Sequence, residues 1–380
     1  MTVVHGDVDE RFGGVADAFR ANFSEHGEVG AAVCVYADGR PVVDLWGGIA
    51  DRESGRPWER DTIVLVYSCT KGVSAVCANL LIERSELEPE APVARYWPEF
   101  AQNGKADIPV KWVLSHQAGL ATVDHPLTLE ECLAWEPVIH AIEQQAPIWE
   151  PGTAHGYHMR TYGWLVGEIV RRITGRTIGT FFAEEIAAPL GLDFWIGLPE
   201  REEHRVAPII PPSESLRELM ASLGDDFLLG RVISAPSGHF HYDEMWNTRE
   251  LHEAELPSSN GIGNARSLAR LYASLIGEVD GVRTLAPGTV ARAATPLVRG
   301  KDAVILVETS YGLGFMLPPS LSNHAGPASF GHAGAGGSLA FADPDRGISI
   351  AYVMNEMRFD MAGDPRSEGL VEAAYRAVDA

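Results

Sequence analysis

The sequence predicts an α+β fold in which both chain ends build one antiparallel sheet, helices flank it, and a mainly helical lobe is inserted between them. Three observations carry this expectation. Near the start, the β-branched and aromatic runs Gly30 to Tyr36 and Pro41 to Gly47 are joined at Asp38-Gly39, a dipeptide suited to a two-residue hairpin because both positions accept positive φ. Near the end, the strand-like runs Ser338 to Ala342 and Ile348 to Met354 flank Asp343-Pro344-Asp345-Arg346-Gly347, a turn by composition. Between about Leu87 and Ala286 the strand signal fades and helical periodicity takes over.

The elements follow in order. After the first hairpin, Thr62 to Tyr67 is strand-like and passes into a helix whose Val73, Val76, Cys77, Leu80 and Leu81 form a buried stripe. Thr128-Leu129-Glu130-Glu131 reads as a capping box before a helix interrupted at Pro137. Tyr162, Leu165, Val166, Ile169, Val170 and Ile173 mark a helix that stops at Gly175. Pro208 to Pro212 and Leu256 to Gly263 read as loops, and a closing helix runs from about Ser367 to Val378. The expected division is a sheet domain from 1–86 and 287–380, a helical lobe over 87–286, and an active site between them. No internal repeat or low-complexity tract interrupts it.

Composition narrows the partners. With 380 residues and 46% hydrophobic content the chain can bury a large core. A formal charge of −22 argues against nucleic acid and anionic membrane, both of which require a dense basic patch. The stretch Met1 to Gly14 carries no basic n-region or apolar h-region, and no run of 18 apolar residues occurs. Cys34, Cys69, Cys77 and Cys132 lack metal-knuckle spacing. The expectation is a soluble, cytoplasmic protein with reduced cysteines. Exposed Trp and Tyr residues of the helical lobe fit either a pocket or the interface of a homo-oligomer.

The chemistry concentrates at Ser68-Cys69-Thr70-Lys71, at the passage from the Thr62 run into the helix. With only four lysines in the chain, a chance Ser-x-x-Lys arises roughly one time in four, so context has to decide. Three residues make nearly one helical turn, so Ser68 and Lys71 share a face and can meet. The free N–H groups of a helix start favour developing negative charge. The competing reading is a Ser N-cap with a solvated Lys beside it, yet a cation is the wrong sign for a first turn.

Taken with Leu114-Ser115-His116-Gln117-Ala118-Gly119-Leu120, Pro151-Gly152-Thr153 with Tyr157, and Gly331-His332-Ala333-Gly334, this motif resembles the serine β-lactamase and penicillin-binding protein superfamily, in particular its class C-related esterases of the family VIII carboxylesterase kind. The resemblance covers most of the chain and implies a β-lactamase-like fold, a serine carboxylesterase and a covalent acyl-Ser68 intermediate. It assigns Ser68 as nucleophile and Lys71 with Tyr157 as the proton-handling pair. Lys71 can serve as a base only if burial or a cationic neighbourhood lowers its pKa, and Tyr157 needs Lys71 close by to favour the phenolate. The backbone N–H groups of Ser68 and Ala335 would form the oxyanion hole.

Departures from the family pattern narrow the substrate. Met159 stands where β-lactamases carry the Asn of the tyrosine motif, and His332 stands where they carry the Lys of Lys-Thr-Gly. A partly charged His332 could hydrogen-bond Tyr157 or substrate, or be a satisfied strand-end histidine, and neutral esters are favoured over β-lactams or peptides. Gly334 adjoins His332 on the substrate-facing strand, and Phe240, His241, Tyr242 and Trp246 are expected to line a pocket. Acyl transfer through the same acyl-enzyme, and β-lactamase or D-alanyl peptidase activity, are the alternatives.

Two rival motifs are weaker. Gly336-Gly337-Ser338-Leu339-Ala340 is one residue off a Gly-x-Ser-x-Gly elbow and lacks the alternating strands and crossover helices such an elbow sits in. His239-x-His241-x-Asp243 has metal-like spacing, but Glu244 stands where a further His would be expected. No metal or organic cofactor is implied.

Overall fold

The computed structural model describes residues 2–222, 227–359 and 363–380, with the side chains of 219–221 outside that description. Its central sheet is antiparallel, in the order Val4–Val8, Arg40–Asp51, Gly30–Ala37, Ile348–Met354, Leu339–Asp343, Phe330–Ala333, with the short Arg56–Pro57 strand paired to Arg40–Asp51. The first hairpin turns on Asp38 and Gly39, at φ 49° and 76°, with Ala37 opposite Arg40. Both loop residues are left-handed, so the turn matches the twist of the strands it joins. The second hairpin closes where Asp343 Oδ1 accepts from Asp345 N (3.0 Å) and Arg346 N (3.4 Å). The two hairpins meet when Ile348–Met354 pairs with Gly30–Ala37, Ile348 opposite Ala37, which joins the two chain ends.

Strand alternation sorts the core into two layers. Val33, Val35 and Ile350 point toward Phe19, Leu370, Val371 and Ala374, from the helices Gly13–Glu25 and Pro365–Asp379. Ala32, Cys34, Ala351 and Val353 point the other way, toward Val73, Val76, Leu268 and Tyr272. Both faces are covered, so these strands read as continuous apolar runs rather than as alternating ones.

The helix after the Ser68 motif spans Cys69–Glu83, and every residue from Cys69 to Ile82 is buried, not only the stripe. It is enclosed on all sides, which is why its periodicity is only a partial signal. Thr161–Thr174 ends at Gly175 in the left-handed conformation, φ 71°. Thr128 and Glu131 form the expected capping box. Pro137 lies in the first turn of a separate helix, Glu136–Gln144, where its missing N–H costs nothing.

The strand-like run before Ser68 contributes Ile63–Leu65 to a small second sheet with Phe194–Trp195, Val206–Ala207 and Ile262–Gly263. One helix of the 87–286 stretch, Ala265–Ile276, lies directly on the main sheet: Ser349 Oγ donates to Ala269 O (2.7 Å), and Arg266 Nε pairs with Asp44 at 2.8 Å. No helix among the described residues is long and apolar enough to cross a membrane, and the four cysteines are buried free thiols.

Candidate active site

Tyr67, at φ 45°, bends the chain sharply into the helix, and the bend is held from both near and far in the chain. Thr70 Oγ1 donates to Tyr67 O (2.5 Å) and accepts from Gly261 N (2.8 Å). Ser68 occupies the N-cap position, but its side chain caps nothing. It is half-buried while Cys69, Thr70 and Lys71 are wholly enclosed. The reading of a capping serine beside a solvated lysine is therefore excluded.

Lys71 Nζ has three oxygens around it: Ser68 Oγ at 3.0 Å, Met159 O at 2.6 Å and Ser258 O at 2.9 Å. Burial holds its pKa well below the usual lysine range, and the guanidinium of Arg160 pushes it further down. A neutral amine has two N–H bonds and one lone pair. With two carbonyls able only to accept, both N–H bonds are drawn to Met159 and Ser258 and the lone pair faces the Ser68 hydroxyl. That is the arrangement a general base requires.

Tyr157 lies over the same amine, its ring centroid 4.8 Å from Lys71 Nζ. Its backbone N–H is held by Asp302 Oδ1 at 3.1 Å, an oxygen that also accepts from Val304 N (2.8 Å) and Ile305 N (2.9 Å). The rings of His116 and Tyr311 pack against it. Burial drives the Tyr157 pKa up, opposed by a hydrogen bond with Ser68. Lys71 is close to Tyr157, as the phenolate would require, yet both groups are desolvated, so burial favours the uncharged amine and the uncharged phenol.

His116, in the Leu114 to Leu120 segment, grips the tyrosine segment. Its carbonyl accepts from Gly156 N (3.0 Å) and its Nδ1 from His158 N (3.1 Å). His158 completes the clasp through Leu120 N to its Nε2 (2.9 Å) and its own Nδ1 to Gly156 O (2.6 Å). Arg160 was not singled out by the sequence reading. It is buried, has its guanidinium 5.1 Å from the Phe240 ring and 5.7 Å from that of Trp246, and donates to the carbonyls of Ile233 and Val232. Among the described residues it makes no ion pair with a carboxylate, a costly state for a buried cation.

On the opposite strand, His332 is buried, and burial followed by Lys71 pushes its pKa down to about 3. It is neutral at physiological pH, correcting the expectation of a partly charged ring. Its Nδ1–H donates to Ala333 O (2.6 Å), which leaves the Nε2 lone pair buried without a partner. Gly334 backs onto the nucleophile's turn, where any Cβ would overlap Val66 O and Ser338 Oγ. Ser338, the rival nucleophile, donates its hydroxyl to Val66 O at 2.9 Å and is enclosed. Among the described residues no backbone carbonyl accepts from the N–H of Ser68 or of Ala335.

The aromatic loop divides. Phe240 and Trp246 are both 0% exposed, so they do not line a pocket; they form the floor under Arg160, and Trp246 Nε1 is occupied by His241 O (2.6 Å). Tyr242 reaches Met159, its hydroxyl 3.6 Å from Sδ, and Met159 and His241 retain exposed surface. His239 is engaged by Leu127 O (2.5 Å), and Asp243 caps a short turn through Met245 N (2.9 Å).

The β-lactamase family model matches residues 15–374. The chain belongs to the β-lactamase family. Within it, the chain is 35% identical over 373 residues to the esterase/beta-lactamase LipL of Mycobacterium tuberculosis, covering 93% of this chain and 83% of LipL. Among solved structures it resembles a family VIII carboxylesterase at 37% identity and a TM-score of 0.90, over 99% of this chain and 100% of the other. A penicillin-binding protein homologue from Caulobacter crescentus matches at 39% identity and a TM-score of 0.88, with the same coverage. Membership of the β-lactamase family accounts for the order in which the Ser68, His116, Tyr157 and His332 segments occur.

Proposed function

We propose that this protein is a serine carboxylesterase acting on neutral esters through an acyl-Ser68 intermediate. Lys71 takes the Ser68 proton as Oγ bonds to the ester carbonyl carbon, and the resulting oxyanion lies between the N–H groups of Ser68 and Ala335. Collapse breaks the C–O bond to the alcohol, whose oxygen receives a proton from the Tyr157 phenol; Tyr157 is reprotonated from Lys71. Water then attacks the acyl-enzyme by the reverse relay, releasing the acid and restoring Ser68. The observation that carries this reading is the Lys71 amine, held by two carbonyls with its remaining position turned to Ser68.

Preference for esters is supported by His332, whose neutral ring supplies no cation for a substrate carboxylate, and by the esterases among the relatives. The same acyl-enzyme yields transfer when an alcohol outcompetes water. The free thiols fit a cytoplasmic setting.

The test is hydrolysis of a short-chain nitrophenyl ester and of a chromogenic cephalosporin by wild type and Ser68→Ala. Ester turnover lost in the mutant with little cephalosporin cleavage supports the reading. Turnover surviving in the mutant removes Ser68, and Ser68-dependent cephalosporin cleavage favours the β-lactamase alternative. Product analysis with an added alcohol separates hydrolysis from transfer.

A further inference from the structure

Behind the turn that carries Ala335 lies a buried charge cluster. Arg366, at the start of the Pro365–Asp379 helix, is fully enclosed. Its Nε and Nη2 engage Asp364, at 3.0 and 2.7 Å; Nη1 reaches Glu28 Oε1 (3.2 Å) and Glu356 O (2.9 Å). The other Nη2 bond goes to Gly336 O, at 2.8 Å. Gly336 O also accepts from Arg358 N (3.0 Å), and Gly337 N closes the turn on Gly334 O (3.2 Å).

The turn rests on this cluster with no side chain between. Gly336 and Gly337 have φ of 87° and 123°, and a Cβ on Gly337 would overlap the Asp364 carboxylate. From the front the same turn is tied to the nucleophile's bend by Ser338 Oγ and Val66 O. A buried ion cluster is a poor way to gain stability, since apolar residues of equal volume do as well. Apolar residues, however, cannot hold the carbonyl of Gly336.

We propose that Arg366 is a positioning residue for the oxyanion-binding turn: its guanidinium holds Gly336 O and so aims Ala335 N–H at the carbonyl oxygen of the substrate bonded to Ser68. This rests on the esterase reading. A donor displaced by even 1 Å weakens oxyanion stabilisation without altering ground-state binding.

The experiment compares wild type, Arg366→Lys and Gly337→Ala, the last displacing the turn while keeping the guanidinium. Competent sites are counted with a nitrophenyl phosphonate, which releases one nitrophenolate per Ser68 modified, so misfolded protein drops out of the count. Per competent site, kcat falls roughly 10²-fold, the loss typical of one oxyanion donor, with KM within about threefold, and affinity for a tetrahedral boronate falls in parallel. Wild-type kcat per site in Arg366→Lys overturns the proposal, as does a kcat loss with boronate affinity unchanged. Should Arg366→Lys give no competent sites, Gly337→Ala decides by the same two readouts. Failure of the esterase reading is visible separately, as absence of Ser68-dependent ester turnover in the wild type.

Discussion

Lys71 Nζ lies 3.0 Å from Ser68 Oγ and is otherwise hydrogen-bonded to two carbonyls, those of Met159 and Ser258, and among the described residues it pairs with no carboxylate. An ordinary ion-paired lysine would keep its proton at neutral pH; this one is placed so that losing the proton is favoured. Burial and Arg160 act in the same direction, both disfavouring the ammonium.

Lys71→Ala is expected to reduce kcat/KM by at least ~10²-fold, the low end for a general base. Lys71→Arg should fail to rescue, because a guanidinium keeps its proton at any working pH. Steady-state kinetics on a nitrophenyl ester, with circular dichroism as a folding control, check both.

The pH profile follows from the same shift. The neutral amine is the active form and its pKa is depressed, so activity is lost as pH falls through the folded pKa of Lys71, at lower pH than for an ordinary lysine. Removing a neighbouring cation raises that pKa; Arg160→Gln should therefore move the acid limb of kcat/KM to higher pH, and Arg160→Lys should move it less. An unmoved limb in Arg160→Gln would show that Arg160 does not tune Lys71. His332, with a pKa near 3, places no limb of its own near neutrality.

Tyr157→Phe removes only the hydroxyl of a ring that lies over Lys71 Nζ. The expected outcome is a kcat loss of about 10²- to 10⁴-fold with the melting temperature essentially unchanged. A large drop in melting temperature would instead mark the hydroxyl as a packing group.

Asp302→Ala should do the opposite. One carboxylate oxygen serves three backbone N–H groups, those of Tyr157, Val304 and Ile305. Each buried donor left unpaired costs about 1–3 kcal/mol, so thermal melting should show a clear loss of stability, with activity falling because Tyr157 loses its anchor.

What could be read in advance depended on how local the interaction is. Asp38-Gly39 announced a hairpin because the turn's φ values are a property of those two residues. Ser68 and Lys71 announced a shared face because three residues span nearly a turn, and Gly175 announced a helix end for the same kind of reason. Arg160, Asp302 and the His116–His158 clasp carry no such mark. Arg160 gains its meaning from Phe240 and Trp246, and Asp302 from a tyrosine 145 positions earlier. Phe240 and Trp246 were misplaced for the matching reason: aromatic composition does not say whether a ring faces a pocket or the core.

The sequence by itself determined the antiparallel sheet of two joined hairpins, the inserted helices and the spacing that lets Ser68 meet Lys71, because these follow from side-chain period and turn chemistry within a few residues. Only the tertiary structure decided the protonation of the site. Whether Lys71, Tyr157 and His332 carry charge depends on how completely the packed lobes exclude water and on which distant charges they bring close, and both arise only when segments far apart in the chain are assembled.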